Sequence, residues 1–363
     1  MDTQATNGLL GSTAPWFIVV PDQSADIVTR AATELSAVLT QISGRAFPIV
    51  PGGAAQGKNE ILIGMAGGTS DIVSTQEFER LGRQEFIIRS ADHRLHLVGG
   101  GDLGTAYAVY TFLESHIGCR WLTSKAISIP TTASPEVGAI DELHRPAFEY
   151  REVFYRDSWH RTFAEPNKIN GQGGAPAPEM RAELHTGWGT WCHTFAQHIP
   201  PERYFDSNPE YFALVDGVRI PNGQLCLSNE TVYDLVVDDL SRRMAEQPEA
   251  RYWSVSQNDC IRNCSCEKCV EVDTREGSPM GSMLEFVNRV AEKFPEKIIS
   301  TLAYQYTRQP PRNIRPAENV HIMLCNIECD RSRPIVDNIE GSSFQNDLVS
   351  WAEICKNLFV WDY

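Results

Sequence analysis

Apolar residues along this chain fall into short β-branched and aromatic runs, separated by longer stretches with helical spacing. Trp16-Phe17-Ile18-Val19-Val20 reads as a strand that stops at Pro21. Ile27, Ala31, Leu35, Val38, Leu39 and Ile42 then recur as one face of a helix, and Gly44 follows as its C′ residue. Residues 60–63, 85–89 and 93–98 read as further strands, with Asp92 and His93 in a turn. A helix carrying Tyr107, Val109, Tyr110 and Leu113 closes this region near Gly118. Residues 15–124 are therefore expected to form a small α/β domain. Residues 125–146, rich in Pro, Ser and Thr, suit an interdomain linker.

From Phe148 onward strands and helices alternate. Residues 148–155 read as a strand ending near Arg156 and Asp157, and residues 165–180 as a long loop. Residues 211–220 contain a turn at Asp216-Gly217, and residues 225–227 lead into a helix that Ser228 or Asn229 caps. Met283, Leu284, Phe286, Val287, Val290, Ala291 and Phe294 stripe another helix. Residues 298–306, 320–328 and 358–363 are the remaining strands. Repeated β–α order predicts a parallel (β/α)8-type barrel over residues 147–363. Only about six β/α units are counted, against the eight that close such a barrel, and the last strand runs into the C-terminus. The chain is expected to be the N-terminal part of a longer protein, truncated within the barrel.

Three of these strands close on an acid. Trp253-Ser254-Val255-Ser256 runs into Gln257, Asn258 and Asp259; Val320–Ile327 ends at Glu328; Leu358–Trp361 ends at Asp362. A buried barrel strand delivers such a carboxylate to the C-terminal mouth, where active sites of β/α barrels sit. The pattern suggests acid/base chemistry on a neutral substrate. Glu328 is the first choice for the acid, because an apolar strand end would desolvate it and raise its pKa; an ion pair with Arg331 or Arg333 is the structural alternative. Asp259 is the choice for a stabilising carboxylate, with Asn258 and Gln257 as hydrogen-bonding neighbours, and a turn role is its alternative.

Composition narrows the partners. With 363 residues, 42% apolar and 22% charged, the chain is long enough for two ordinary globular cores. A net charge of −15 argues against a nucleic-acid partner, which needs a basic footprint. No run of about 18 apolar residues exists to span a membrane. Met1-Asp2-Thr3-Gln4 is not a basic region leading into an apolar core, so no signal peptide is visible.

Ten cysteines are present, four of them in the run Cys260, Cys264, Cys266 and Cys269. Three readings stay open: a thiolate site for structural zinc, one or two local disulfides, or free thiols in a tight loop. Four thiolates would close a zinc's coordination, and no H-E-x-x-H is present, so no cofactor is expected for catalysis. Gly99-Gly100-Gly101-Asp102-Leu103-Gly104 matches G-x-G-x-x-G in form. A dinucleotide site also needs a parallel return strand ending in an acid. The preceding strands read as a meander and residues 119–124 supply no such acid. A tight turn using glycine for φ > 0 is the other reading.

Seven further motifs are Trp191-Cys192-His193-Thr194-Phe195, Asn208-Pro209-Glu210-Tyr211-Phe212, Gln224-Leu225-Cys226-Leu227-Ser228-Asn229, Ser256-Gln257-Asn258-Asp259, Cys264-Ser265-Cys266-Glu267-Lys268-Cys269, Thr301-Leu302-Ala303-Tyr304 and Val360-Trp361-Asp362-Tyr363. Taken together, they resemble the DUF4838 proteins, which overlap the glycoside hydrolase family of endo-β-N-acetylglucosaminidases. Residues 99–121 are similar to the small domain that precedes the barrel in α-glucuronidases and β-hexosaminidases. The resemblance implies cleavage of N-acetylglucosamine-containing glycans, with an oligosaccharide or glycoprotein glycan as partner. It also implies that the substrate acetamide can take part as nucleophile. A secreted or periplasmic location is compatible with it. The alternative is a non-catalytic or truncated carbohydrate-binding relative.

On that reading further residues acquire roles. Asp362 is a third acid, with terminal fraying as its alternative. Trp188, Trp191 and Trp361 offer aromatic platforms for sugar rings or simply pack a core. His193 binds a hydroxyl or is structural. Tyr304 donates to the acetamide or is a core tyrosine. Arg156 and Asp157, at the end of the first barrel strand, grip sugar hydroxyls or form a surface ion pair.

Overall fold

The computed structural model describes residues 14–52, 59–65, 72–91, 94–131, 139–171, 187–337 and 339–363. The Asp92-His93 turn and residues 172–180 of the long loop lie outside the described residues. The chain divides into two compact units, Met1–His185 and Thr186–Tyr363.

In chain order the first unit contains β1 (Trp16–Val20), α1 (Asp26–Ser43), β2 (Ile49–Pro51), β3 (Asn59–Ile63), the short α2 (Thr75–Glu79), β4 (Phe86–Ala91), β5 (Arg94–Gly99) and α3 (Asp102–Thr111). A ribbon of β6 (Arg120–Trp121) and β7 (Ile127–Ser128), then β8 (Asp141–His144) and the one-turn α4 (Arg161–Ala164), complete it. The sheet order is β2-β1-β3-β5-β4-β8; the first four strands are parallel, and β4 and β8 join antiparallel. Helix α1 buries the periodic face and ends at Gly44, whose φ of 70° lets its N–H donate to the Thr40 carbonyl at 2.9 Å.

Four expectations are corrected in this unit. Asp141–His144, inside the stretch read as a linker, pairs with β4 as an edge strand. Residues 148–155 form no strand. This segment instead belongs to the first unit, where Arg151 donates to Gln84 Oε1 at 2.7 Å, and its apolar Phe148, Phe154 and Tyr155 are exposed. The Gly99–Gly104 run does not use positive φ. It allows close backbone approach: a Cβ at Gly99 would meet Thr105 N at 2.1 Å, and one at Gly100 would meet the Leu81 carbonyl at 2.3 Å. The strands before it are not a plain meander, since only β4 and β5 form a hairpin. A dinucleotide fingerprint still fails, because both sides of β5 are taken by earlier strands, β3 and β4, and no return strand after α3 fits beside it.

The second unit contains β9 (Trp188–Thr190), α5 (Phe195–His198), α6 (Pro201–Tyr204), β10 (Leu214–Val215), β11 (Val218–Arg219), α7 (Glu230–Glu246), β12 (Tyr252–Ser254), α8 (Glu267–Glu276), α9 (Met280–Ala291), β13 (Ile298–Ala303), β14 (Val320–Cys325), α10 (Ile339–Ile354) and β15 (Leu358–Trp361). Strands β10 and β11 form a hairpin whose turn residues, Asp216 and Gly217, both have positive φ. Asn229 caps α7, its side chain accepting from Thr231 N at 2.9 Å.

The main sheet runs β15-β14-β13-β12-β9 with every neighbour parallel. Alternation along the strands separates two faces. Trp253, Val255, Ile299, Ala303, Ile322 and Leu324 share one core with the buried faces of α7, α9 and α10. The opposite face carries Tyr252, Ser254, Ser300, His321, Met323 and Phe359. On it the Trp188 ring stacks on Tyr252 at 5.0 Å, His321 lies 5.5 Å from Phe359, and Trp188 lies 6.1 Å from Phe359. Trp188 and Phe359 belong to opposite edge strands, which a flat five-stranded sheet would hold about 19 Å apart. Their contact requires the sheet to curl strongly toward this face, beyond ordinary twist. Sequential strand order, helices on the outer face and a curled interior are those of a β/α barrel, here open between β9 and β15 among the described residues.

Candidate active site at the mouth of the parallel sheet

Because every strand of the second sheet is parallel, all five deliver the residues that follow them to one edge. Trp191 and His193 follow β9, Gln257–Asp259 follow β12, Tyr304 follows β13, Asn326–Glu328 follow β14, and Asp362 and Tyr363 follow β15. Tyr304 and Asp259 meet at this mouth. The Tyr304 hydroxyl donates to Asp259 Oδ1 at 3.1 Å and accepts from Gln305 Nε2 at 3.0 Å. Burial, helped by the bond to Asp259, pushes the Tyr304 hydroxyl up to about 12, so it stays protonated at neutral pH and remains a donor. Asp259 itself is exposed.

Two of the four non-glycine residues with positive φ among the described residues flank this pair, His193 at 55° and Gln305 at 52°. Such conformations cost free energy and persist where surroundings enforce them. The His193 Nδ1 lies 2.8 Å from the Gln257 carbonyl, and the ring meets that of Tyr304 edge-on at 5.8 Å. A carbonyl only accepts, so Nδ1 donates in this contact.

An aromatic wall borders the mouth. Trp191 lies 4.5 Å from Trp188 and 5.8 Å from Trp361, and Tyr363 stacks on Trp361 at 5.8 Å and 14°. Trp188 is buried and packs the interior, whereas Trp191, Trp361 and Tyr363 keep accessible surface. Beside them Asn326 Nδ2 donates to Asp362 Oδ1, while Asn326 Oδ1 is buried and has no protein partner. Asn326 is a candidate site residue that the sequence reading missed. Its signal was position, as the first polar residue after the apolar run of β14.

Other candidates are placed differently from expectation. Glu328 is not desolvated: its side chain is 39% exposed and accepts from Arg308 at 2.9 Å, rather than from Arg331 or Arg333. Arg308 is also held by Asp347 at 2.6 Å. Asn258 is occupied by backbone, accepting from Ala196 N at 3.0 Å and donating to the Gly223 carbonyl at 2.9 Å. Gln257 is fully buried and donates to Thr307 Oγ1 at 2.7 Å and the Tyr304 carbonyl at 3.2 Å, though its Oε1 is unpaired. Arg156 is exposed on a short 3-10 turn of the first unit, with no strand beneath it. Asp157 accepts from Ser124 N within the same unit.

The cysteine run is also rearranged. All ten cysteines are unbridged. Cys264, Cys266 and Cys269 are joined by Cys226, the four sulfurs lying within 4.8 Å of one another. Cys260 sits apart, its Sγ 3.3 Å from Gln224 Nε2. Two thiols near the mouth are shielded: burial pushes Cys192 up to about 11 and Cys325 up to about 12, which makes both poor nucleophiles at neutral pH. Among the described residues no helix is long and apolar enough to cross a membrane.

Comparison with solved structures finds similarity to a Streptomyces plicatus β-hexosaminidase variant in complex with the product GlcNAc, at 14% identity, over 97% of this chain and 72% of that one, with a TM-score of 0.48. A Flavobacterium johnsoniae chitobiase is similar at 11% identity, over 96% and 56% of the two chains, with a TM-score of 0.49. A family GH115 4-O-methyl-α-glucuronidase is similar at 14% identity, over 97% and 54%, with a TM-score of 0.41. These are resemblances only; strand order and curl identify the fold. A search of the curated proteins found no match. The family described as "Domain of unknown function (DUF4838)" matches residues 121–363, and the chain belongs to that family.

Proposed function

We propose that this protein is a glycoside hydrolase acting on N-acetylglucosamine-containing glycans at the mouth of the curled sheet. The observation that carries the reading is the Asp259–Tyr304 pair, an exposed carboxylate bonded to a buried-ring hydroxyl, facing the same edge as the Trp191–Trp361–Tyr363 wall. Aromatic planes suit the apolar C–H faces of sugar rings. A net charge of −15 favours neutral over anionic substrates.

In this scheme Asp259, steadied by Tyr304, orients an acetamide or stabilises developing positive charge, and Glu328 serves as the acid. Glu328 must leave Arg308 to do so. That same ion pair favours a second reading, in which the cleft binds carbohydrate without turnover.

Mass spectrometry of products released from an N-glycosylated protein separates the two. A hydrolase releases glycans cleaved between the two core N-acetylglucosamines, and Glu328→Gln and Asp259→Asn abolish the release. If no product forms while the chain still retains chitooligosaccharides in a binding assay, the binding reading stands in its place.

A further inference from the structure

We infer that Cys226, Cys264, Cys266 and Cys269 hold a zinc ion, and that this ion is structural. The four sulfurs converge from two separate segments: Cys226 precedes α7, while Cys264 and Cys266 in the loop before α8 and Cys269 in its first turn belong to one continuous stretch. Zinc–thiolate bonds of about 2.3 Å in a tetrahedron place sulfurs roughly 3.8 Å apart. Cys226 and Cys266 Sγ are 3.6 Å apart, and all four atoms fall within 4.8 Å. Four thiols packed this closely match a four-thiolate zinc centre better than two disulfides, since no pair is bridged.

The surroundings are those of a thiolate centre. Leu214 N donates to Cys264 Sγ at 3.4 Å, and Arg219 Nη1 donates to the same sulfur at 3.6 Å. The Ser228 hydroxyl lies 3.4 Å from both Cys266 and Cys269 Sγ and 3.6 Å from Cys226 Sγ. Such outer contacts orient ligands and offset their negative charge. Cys266 also occupies the N-cap of the ten-residue α8, where the helix dipole favours thiolate. Four protein ligands leave no open position, so the ion has no catalytic role.

Its work is to fasten the loop that carries Asp259. Gln224, two residues before Cys226, accepts from Asn258 N at 2.8 Å and donates to the Asn258 and Cys260 carbonyls at 2.8 and 2.7 Å. Gln224 thus grips the start of residues 258–264, and the metal grips the end. The zinc assignment does not rest on the hydrolase reading.

The test is elemental analysis and native mass spectrometry of the purified full chain. The expected result is about one zinc per chain, retained in Cys260→Ser and lost at least tenfold in Cys226→Ser. Cys226→His, which keeps a ligand, should restore most of the metal and covers the case in which the serine variant fails to fold. Chelation should accelerate hydrogen exchange across residues 211–228 and 258–270. Metal-free protein whose denatured mass shows the loss of four hydrogens, and hence two disulfides, would overturn the inference. So would zinc that survives Cys226→Ser but is lost in Cys260→Ser.

Discussion

Acidification should expose the burial of His321 on the concave face of the curled sheet. Its ring lies 5.9 Å from Tyr252 and 5.5 Å from Phe359, and burial, with a smaller push from Arg251, lowers its pKa from 6.5 to about 4. The imidazole is therefore neutral when folded and binds a proton readily only when unfolded. The sign follows: the unfolded chain holds more protons between those values, so stability falls as pH drops. The contribution is intact above about pH 6.5, declines between 6.5 and 4, and levels off below about 4. From pH 7 to pH 5 the expected loss from this residue is about 2 kcal/mol, with a ceiling near 3 kcal/mol for full protonation. Other groups titrate in the same range, so the measurement is a difference. Urea unfolding of the natural chain and of His321→Gln across pH 7 to 4.5 should show a shallower decline in the variant by that amount. Parallel pH profiles would refute the assignment of a half-buried, neutral histidine to this face.

Three further outcomes follow from the same geometry. Gly189→Ala should cost about 1–3 kcal/mol or more in denaturant unfolding, because its Cβ would sit 2.3 Å from the Trp253 ring that seals the outer core. Asn258→Ala should destabilise the second unit by about 2 kcal/mol, since both ends of its amide serve backbone groups; an unchanged urea midpoint would return it to a substrate-binding role. Tyr304→Phe should lower kcat/KM on an N-acetylglucosamine oligosaccharide about tenfold, the worth of roughly 1.5 kcal/mol from one hydrogen bond to a carboxylate, with the circular dichroism spectrum unchanged.

The parallel architecture was legible in the sequence because it rests on local pattern. Residues 253–259, 320–328 and 358–363 announced strands closing on polar residues, and all three ends reach one mouth. What failed depended on distant partners. Residues 148–155 have strand composition, but propensity alone does not supply a neighbouring edge. Glu328 ends an apolar run, yet it lies beyond the last paired residue of β14, where Arg308 from the preceding connection reaches it. Cys226 was invisible as a fourth thiol because adjacency in sequence favoured Cys260. Asn258 looked like a substrate ligand beside Asp259. Its amide is instead spent on the scaffold, bonded to Ala196 N and the Gly223 carbonyl.

Everything proposed for this mouth depends on the five strand ends building one carbohydrate site around Asp259 and Tyr304. A crystal structure of the Asp259→Asn chain soaked with a chitooligosaccharide would show whether they do. A sugar ring is expected against the Trp361–Tyr363 wall, with the residue 259 amide and the Tyr304 hydroxyl within hydrogen-bonding distance of it. A sugar bound elsewhere, or a mouth that stays without sugar at saturating concentration, would contradict the proposal.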